Sequence, residues 1–352
     1  MKQILPIALM AFLLASAPAS AVTRGEVVPE SRYPWLADML GCGGTLVAPD
    51  RVLTAAHCVV SIERSSSINV AVGERFETGR QLTVRRHARH PRFESMPSEL
   101  MARYDLALLE LAEPVKGIEP LPVAEREPQP GAPAKIVGHG RTRFFGLDPE
   151  DTPARFRSHE RPLVEGKQKI LSDAACRRYY ATNRYKRDFF DPADMICSLD
   201  PRSKPSRAAG APWTSVCLGD SGGPLVAGGK LTGVTSWSEW CGLRHDPSVF
   251  ARVPKLRDFA LGEPVWAPYS PDAPTVRVQG RRLTCVAPAF EGAAEVTGAV
   301  WMRIGSRDQA IPSPAATGLA FDAPAAGRYT CAILARNEGG SARTRDAEPI
   351  TV

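Results

Sequence analysis

Short hydrophobic runs separated by turn-forming residues fill most of the chain. Such runs, four to seven residues long, occur at Ser67–Val72, Leu106–Leu111, Ala134–Val137 and Leu231–Trp237. This length is typical of β-strands, and the 32 prolines and 29 glycines suit the turns between them. The pattern therefore predicts an all-β protein.

The chain divides into two parts at a proline-rich segment. Its 352 residues suit two domains, because a domain typically has roughly 100–200 residues. Four prolines lie between Pro264 and Pro274, and this density favours an extended, semi-rigid linker. We therefore predict a first domain over residues 22–262, a linker over 263–274 and a second domain over 275–352.

The first 21 residues have the pattern of a secretory signal peptide. Lys2 provides a charged start, Ile4–Leu14 is apolar, and Ala19–Ala21 is a small-residue cleavage site. The alternative is a membrane anchor, but the apolar stretch is much shorter than the roughly 20 residues that span a bilayer. We therefore predict a secreted or periplasmic protein, whose eight cysteines favour disulfides over metal ligands or reactive thiols.

Charge and histidine spacing argue against a nucleic-acid partner and a bound metal. The 44 basic and 38 acidic residues leave a net charge of +6 that is spread along the chain, unlike the basic patches of nucleic-acid-binding proteins. His87 and His90 lie in a basic stretch that disfavours a cation. We predict neither a cofactor nor a metal site.

One serine, one histidine and one aspartate occur in contexts that suit nucleophilic catalysis. Ser221 lies in the run Gly219–Pro224, His57 precedes a cysteine, and Asp105 begins an apolar run. A serine hydroxyl is a poor nucleophile unless a base takes its proton and a third group orients that base. These three residues can supply the three roles.

Together these motifs resemble the trypsin/chymotrypsin family of serine endopeptidases. The resemblance covers nearly all of residues 22–262, and it implies two six-stranded antiparallel β-barrels with the active site between them. It also implies a protein or peptide substrate. Further motifs that match the family, in the same order, are Cys42–Thr45, Thr54–Cys58, Gly138–Gly140, Met195–Cys197, Cys217–Pro224 and Ser236-Trp237.

The resemblance assigns roles to the matching residues. Ser221 is the nucleophile, His57 is the general base and then the acid, and Asp105 fixes the imidazole tautomer. The backbone N–H groups of Gly219 and Ser221 form the oxyanion hole, which binds charge that develops in the transition state. A non-catalytic relative is the alternative, but such relatives usually lack a triad member. The segment expected to pair with the substrate backbone consists of Ser236, Trp237 and Ser238.

The resemblance also implies how the site is activated. In this family a new apolar N-terminus pairs with the aspartate before the nucleophile, which is Asp220 in this chain. The terminus normally precedes a Pro-Trp pair by twelve residues, and Pro34-Trp35 places it at Val22. We therefore expect removal of the signal peptide to be the activation step.

The predicted pocket for the P1 residue, which precedes the scissile bond, is uncharged. Its base lies six residues before the nucleophile, at Ser215, and Ser238 and Ser248 occupy wall positions that are often glycine in the family. Side chains at these positions narrow the pocket, so we expect cleavage after small or medium uncharged residues. Glu239 and Asp246 are interpreted as solvated residues near the rim.

The resemblance also selects a disulfide pairing. It leaves one cysteine pair to the second domain, which agrees with two independent folding units. The segment Glu74–Gln81 aligns with a calcium-binding loop of some relatives, but its two carboxylates are few for calcium. The expected pairs are Cys42–Cys58, Cys176–Cys197, Cys217–Cys241 and Cys285–Cys331.

The second domain resembles an immunoglobulin-like β-sandwich. Trp301 follows Cys285 by sixteen residues, and Tyr329 lies two residues before Cys331, as the tryptophan and tyrosine of that fold do. We interpret both aromatic residues as core residues and the domain as a recognition module.

Three functions remain open. The first is an exported serine endopeptidase that acts through an acyl-enzyme. The second is a secreted adhesin or binding protein in which the protease domain is a scaffold. The third is an esterase or transferase that uses the same triad. The substrate-pairing segment favours peptides.

Overall fold

A computed structural model describes most of the chain after the predicted signal peptide. The peptide itself, residues 1–21, lies outside the described residues. In the part of the chain that is described, no helix has the length and apolar character needed to cross a membrane. The described residues are 22–23, 25–39, 41–63, 65, 67–95, 101–141, 162–181, 189–202, 213–239, 241–242, 246–304, 309–310 and 318–352.

The fold is all-β, as predicted, and its few helices are short. Each of the four hydrophobic runs forms a strand. The helices are α1 (Ala56–Ile62), α2 (Asp173–Ala181) and α3 (Arg257–Leu261). The strands are β1 (Glu26–Val27), β2 (Leu36–Met39), β3 (Cys42–Ala48), β4 (Arg51–Thr54), β5 (Ile68–Val72), β6 (Gln81–Arg89), β7 (Glu94–Ser95), β8 (Ala102–Arg103), β9 (Ala107–Leu111), β10 (Pro133–Gly138), β11 (Val164–Ile170), β12 (Met195–Leu199), β13 (Pro224–Ala227), β14 (Lys230–Trp237), β15 (Ser248–Arg252), β16 (Thr275–Gln279), β17 (Arg282–Val286), β18 (Glu295–Ile304), β19 (Gln309–Ala310), β20 (Ala320–Asp322), β21 (Arg328–Asn337), β22 (Gly340–Arg343) and β23 (Ile350–Thr351).

Two closed six-stranded antiparallel barrels make up the first domain, which confirms the predicted fold class. The first barrel has the strand order β2-β3-β4-β9-β6-β5. The second has the order β11-β10-β13-β14-β15-β12 and closes where β12 pairs with β11. Strand β1 adds to the outside of β11. Closure leaves neither barrel with a free edge.

Strand β9 shows how the barrels meet. Ala107 and Leu109 pack inside the first barrel, whereas Leu106, just before β9, and Leu108 join a core that also contains Leu231 of the second barrel. Successive side chains of a strand point to opposite faces, so one face of β9 lines the first barrel and the other lies against the second barrel. The residue before Leu106 therefore lies at the seam between the barrels.

The prediction that the chain contains disulfides is confirmed, and the eight cysteines form four bonds. Cys42–Cys58 joins β3 to α1, and Cys176–Cys197 joins α2 to β12. The other two bonds are Cys217–Cys241 and Cys285–Cys331. Four disulfides indicate an oxidising environment outside the cytosol.

Residues 275–352 form two further sheets around their own core. One sheet has the order β16-β17-β20, and the other has β19-β18-β21-β22, with β23 also paired to β21. The Cys285–Cys331 bond connects β17 of the first sheet to β21 of the second. Buried Trp301 packs against Phe321, with their rings 5.3 Å apart. We call residues 275–352 the C-terminal unit.

The proline-rich segment before this unit packs on the first barrel. The Trp266 ring lies 4.6 Å from the guanidinium carbon of Arg86 and 5.8 Å from that of Arg51, within the range of cation–π contacts. The N–H of Ala267 donates to the carbonyl of His87 at 2.8 Å. The linker is therefore attached along β6 and is not a free tether.

The turn between β21 and β22 completes this joint. The N–H of Arg89 donates to the carbonyl of Gly339 at 2.8 Å. The N–H of Ser341 donates to Glu63, the residue that caps α1, at 3.3 Å. A side chain at Gly340 would come within 3.0 Å of the buried ring of His87. The C-terminal unit thus contacts both β6 and the end of α1.

Candidate active site

His57 and Asp105 form a hydrogen-bonded pair at the seam between the barrels. His57 is the second residue of α1, whose start is attached to β3 by the Cys42–Cys58 bond. Its Nδ1–H donates to Asp105 Oδ2 at 2.7 Å, and its backbone N–H donates to Asp105 Oδ1 at 2.9 Å. Two bonds from one residue to one carboxylate determine which face the imidazole ring presents to the cleft.

The turn before Asp105 is supported from the second barrel, and sequence reasoning missed this support. Tyr104 has a φ of 49°, an unfavourable value for a bulky residue. Its N–H donates to the buried carboxylate of Asp194 at 2.6 Å, and Arg103 pairs with the same carboxylate at 2.8 Å. Asp194 therefore holds the bend that presents Asp105 to His57. Asp194 directly precedes β12, and nothing in the sequence around it indicates this role.

Ser236 contributes a third hydrogen bond to the same carboxylate. Its hydroxyl donates to Asp105 Oδ2 at 2.5 Å. The sequence assigned Ser236 only to the substrate-pairing segment, whereas the structure directs its side chain toward the acid. Trp237 is buried beside it at the end of β14, and Ser238 follows with a half-buried side chain.

The environment shifts the two pKa values in opposite directions. Burial alone lowers the pKa of His57, but the charge of Asp105 and its hydrogen bond outweigh burial, so the net shift is upward. Burial alone raises the pKa of Asp105, but His57 and Ser236 outweigh it, and the net shift is downward. The pair therefore favours a charged carboxylate that stabilises an imidazolium.

The loop that carries Ser221 is held against the first barrel. The carbonyl of Ser221 accepts the N–H of Gly43 at 2.7 Å. Gly222 has a φ of 78°, and a side chain there would come within 2.3 Å of the Gly43 carbonyl and the Thr54 hydroxyl. Only glycine fits this close approach. The loop thus places Ser221 next to the chain segment that leads into His57.

Asp220 is buried under this loop and is surrounded by backbone donors. It accepts N–H groups from Gly140 and Cys217, both at 2.9 Å. Gly138 has no room for a side chain, because a Cβ would lie 2.3 Å from the carboxylate. Val22 is fully buried in the core of the second barrel. Gly219, whose N–H is an expected oxyanion donor, has a φ of 96°, which only glycine readily adopts.

His139 lies between Gly138 and Gly140 and ties this region to the N-terminal segment. Its Nε2 lies 3.0 Å from Glu30, and its Nδ1 lies 3.8 Å from Asp38. Burial lowers the pKa of His139, but these two carboxylates outweigh burial and raise it overall. A charged His139 therefore stabilises the loop whose next residue binds Asp220.

Comparisons with known proteins identify the family. The family model described as Trypsin matches residues 22–260. The chain belongs to the trypsin family. The prediction of a serine-type endopeptidase, a hydrolase, is thereby confirmed.

The chain is similar to proteins named as trypsins and serine proteases. The chain is 33% identical over 226 residues to a trypsin of Saccharopolyspora erythraea, covering 62% of this chain and 85% of that protein. It is 32% identical to serine protease 56 of Mus musculus, covering 68% of this chain and 38% of that protein's length. The structure of neuropsin, a serine protease expressed in the limbic system of mouse brain, aligns with a TM-score of 0.52 and 26% identity, over 67% of this chain and 96% of neuropsin.

In the protease, two of the three serines expected in the P1 pocket, Ser215 and Ser248, bond nearby backbone N–H groups. Ser215 and Ser248 are both buried. The Ser248 hydroxyl accepts the N–H of Val216 at 3.2 Å, and the Ser215 hydroxyl accepts the N–H of Gly242 at 2.7 Å. Neither position carries a charge, which suits uncharged P1 residues.

The interpretation of Asp246 as a solvated rim residue is wrong. Asp246 is only 2% exposed, and Tyr179 of α2 donates to its carboxylate at 3.4 Å. Burial and this carboxylate raise the pKa of Tyr179. Because α2 packs beneath the segment that precedes β15, Asp246 is covered by a helix that local sequence does not indicate.

The two histidines with metal-like spacing have structural contacts. His87 lies 3.8 Å from Glu63 in the joint to the C-terminal unit, and the ring of His90 stacks on Tyr104 at 5.0 Å. Among the described residues, Cys42, His57 and Cys58 form a cluster with metal-like spacing. Its two cysteines are bonded to each other, so this cluster offers no thiolate ligands.

The raised pKa of His57 predicts the acid limb of the pH profile. A general base must be neutral, so kcat/KM rises as pH rises through the pKa of His57 in the free enzyme. The pKa lies above the ordinary value of 6.5, and we expect the midpoint of the acid limb above pH 6.5. Initial rates on one peptide substrate between pH 4 and 9 measure it. A midpoint below 6.5 would contradict the Asp105 pairing.

Proposed function

We propose that the chain is a secreted endopeptidase that hydrolyses peptide bonds through an acyl-enzyme. The observation that supports this function best is the double hydrogen bond of His57 to buried Asp105 at the seam. His57 takes the proton of Ser221 as Oγ attacks the peptide carbonyl, and returns it to the leaving amine. Water then attacks the ester by the same route in reverse.

The oxyanion donors complete the proposed mechanism. The N–H groups of Gly219 and Ser221 bind the negative charge that forms on the carbonyl oxygen. Such donors contribute about 10²–10³ each in rate, because the charge develops only in the transition state. The glycine conformations at 219 and 222 set the backbone direction that these donors require.

The P1 preference is for small or medium uncharged residues. Buried serines at positions 215 and 248 give a pocket without a carboxylate at its base. A peptide library with P1 varied, incubated with the purified secreted protein, tests both the activity and the preference. The same protein blocked with a serine-reactive phosphonate is the control.

The results of this experiment separate the P1 preference from the endopeptidase activity. We expect cleavage after Ala, Val or Leu that the phosphonate abolishes. A preference of tenfold or more for Lys or Arg would overturn the P1 assignment but leave the endopeptidase intact. A folded protein with no cleavage and no phosphonate labelling would overturn the proposed function.

Activation follows from the N-terminal segment. Val22 is fully buried and Asp220 is nearly so, and an opposite charge beside a buried carboxylate favours its charged form. Cleavage of the predicted signal peptide after Ala21 frees an ammonium group at Val22 that pairs with Asp220. Signal removal is then the activation step.

One extra residue before Val22 is expected to lower kcat/KM by about 10²–10³-fold, the effect of losing one oxyanion donor. The added residue displaces the ammonium group from Asp220 and leaves the adjacent loop unsupported. A protein released from a cleavable tag with or without one added glycine, checked by N-terminal sequencing, measures this. Full activity with the added residue would contradict the proposed switch.

The C-terminal unit is an immunoglobulin-like recognition domain. Its Cys285–Cys331 bond connects the two sheets, and Trp301 packs in the core between them. The hydroxyl of Tyr329 donates to the carbonyl of Ala325 at 2.8 Å, as the corner tyrosine of that fold bonds upstream backbone. The fold alone does not identify the ligand of this unit.

A further inference from the structure

Thr23 lies directly beneath the expected base of the P1 pocket. Its side chain is buried, only 2% exposed, beside a fully buried Val22. Its hydroxyl lies 3.0 Å from the Ser215 hydroxyl and 3.0 Å from the Ser215 N–H, which donates to it. Its own N–H donates to the Ser215 carbonyl at 3.2 Å. One residue therefore contacts the side chain and both backbone polar groups of Ser215.

The Thr23 hydroxyl also reaches the neighbouring backbone. It donates to one of two carbonyls, that of Trp213 at 2.9 Å or that of Ser215 at 3.1 Å. A hydroxyl has one donor and two acceptor sites, so these contacts use its donor and at least one acceptor site. A valine at this position would keep the shape and lose every one of these side-chain bonds.

The Ser215 hydroxyl is also surrounded by protein hydrogen-bond partners. It accepts the N–H of Gly242 at 2.7 Å, next to the Cys217–Cys241 bond, and lies 3.2 Å from the carbonyl of Val216. With Thr23 at 3.0 Å, three protein partners occupy its donor and acceptor sites. The hydroxyl is therefore oriented by protein groups and not by the P1 side chain of a substrate.

We propose that Thr23 is a positioning residue that sets the P1 pocket by holding Ser215 and, through it, Gly242. This rests on the proposed function and names a determinant of its specificity. The role differs from that of Val22, because Thr23 contacts the pocket base and not Asp220. The residue links processing of the N-terminus to the shape of the pocket.

The test compares Thr23→Val, which removes the hydroxyl at constant shape, with Thr23→Ser, which keeps it. We expect Thr23→Val to raise KM for peptides with P1 Ala, Val or Leu by about tenfold, the effect of leaving buried polar groups unpaired, with kcat changed less than threefold. Thr23→Ser should restore KM to within about threefold. A small alkyl fluorophosphonate, which has no P1 side chain, should label all forms at similar rates.

A double-mutant cycle with Ser215→Ala shows whether Thr23 acts through Ser215. If it does, Ser215→Ala alone raises KM similarly, and the double variant Thr23→Val/Ser215→Ala is no worse than either single one. Additive effects, or an unchanged KM in Thr23→Val or Ser215→Ala, would overturn the proposal. Should Thr23→Val not be secreted, Thr23→Ala, which also lacks the hydroxyl, takes its place in the cycle.

The failure of this proposal is distinct from failure of the proposed function. If the wild-type protein neither cleaves peptides nor reacts with the fluorophosphonate, the proposed endopeptidase activity is wrong. If the wild-type protein does both and the variants have an unchanged KM and P1 profile, only the proposed role of Thr23 is wrong.

Discussion

Replacing Ser221 with alanine is expected to lower kcat for peptide hydrolysis by about 10⁶-fold. The variant lacks the oxygen that forms the acyl-enzyme, while the backbone donors and the His57–Asp105 pair remain. The loop should keep its conformation, because the Gly43 N–H binds the Ser221 carbonyl and not the side chain. Rates on the best peptide of the P1 survey, with protein concentration raised for the variant, measure the loss.

The matched control is Ser95→Ala, an exposed serine in β7. It should leave kcat and fluorophosphonate labelling unchanged. Thermal denaturation should give the same Tm for wild type and Ser221→Ala. A Ser221→Ala protein that retains more than a hundredth of wild-type kcat, with contaminating protease excluded, would remove Ser221 as the nucleophile.

Replacing Asp105 with asparagine is expected to lower kcat by about 10⁴-fold at neutral pH. The amide keeps the size of the carboxylate, but it favours the wrong tautomer of His57 and no longer stabilises the imidazolium. The carboxylate is also what raises the pKa of His57. The acid limb of kcat/KM should therefore move to lower pH in the variant, so a pH series from 4 to 10 reports both effects.

Asp258→Asn, which changes an exposed aspartate of α3, is the control for charge removal. It should alter neither the rate nor the pH profile. An Asp105→Asn variant with a lower kcat but an unmoved acid limb would show that Asp105 acts on the fold and not on His57. A large loss of Tm in Asp105→Asn that Asp258→Asn does not share would show the same.

Sequence motifs predicted the candidate catalytic residues but not the residues that support them. Ser221, His57 and Asp105 stand in local contexts that can be recognised directly. The contact of Asp194 with the turn at Tyr104 joins residues that are 90 positions apart, and no period or motif marks it. The burial of Asp246 likewise depends on α2, which is distant in sequence.

The same limit applies to Thr23. No motif in the sequence marks Thr23 as part of the pocket. The contact is visible only in the fold, which brings Ser215, 192 positions later in the chain, to within hydrogen-bonding distance of Thr23. By contrast, the strands could be predicted from short apolar runs between turn-forming residues, which are local signals, while the two barrels followed from the family resemblance.

The proline density predicts a linker over residues 263–274 but does not show whether that linker is attached to the first barrel. Prolines restrict the backbone and favour extended chain. Whether such a chain is free depends on its neighbours, and here Trp266 meets two arginines of the first barrel. Those arginines lie in β4 and β6, far from the linker in sequence.

The contacts between the first barrel and the C-terminal unit also have a consequence for the proposed binding of a partner. Trp266 packs beside two arginines, and Gly340 lies against His87 of β6, so the C-terminal unit contacts the first barrel at two places. If the C-terminal unit binds a partner, as proposed, these contacts would limit the orientations of that partner toward the active site, whereas a flexible tether would allow many. Peptide bonds of such a partner that reach the active site would be cleaved at a high effective concentration, and its other bonds would gain nothing from the binding.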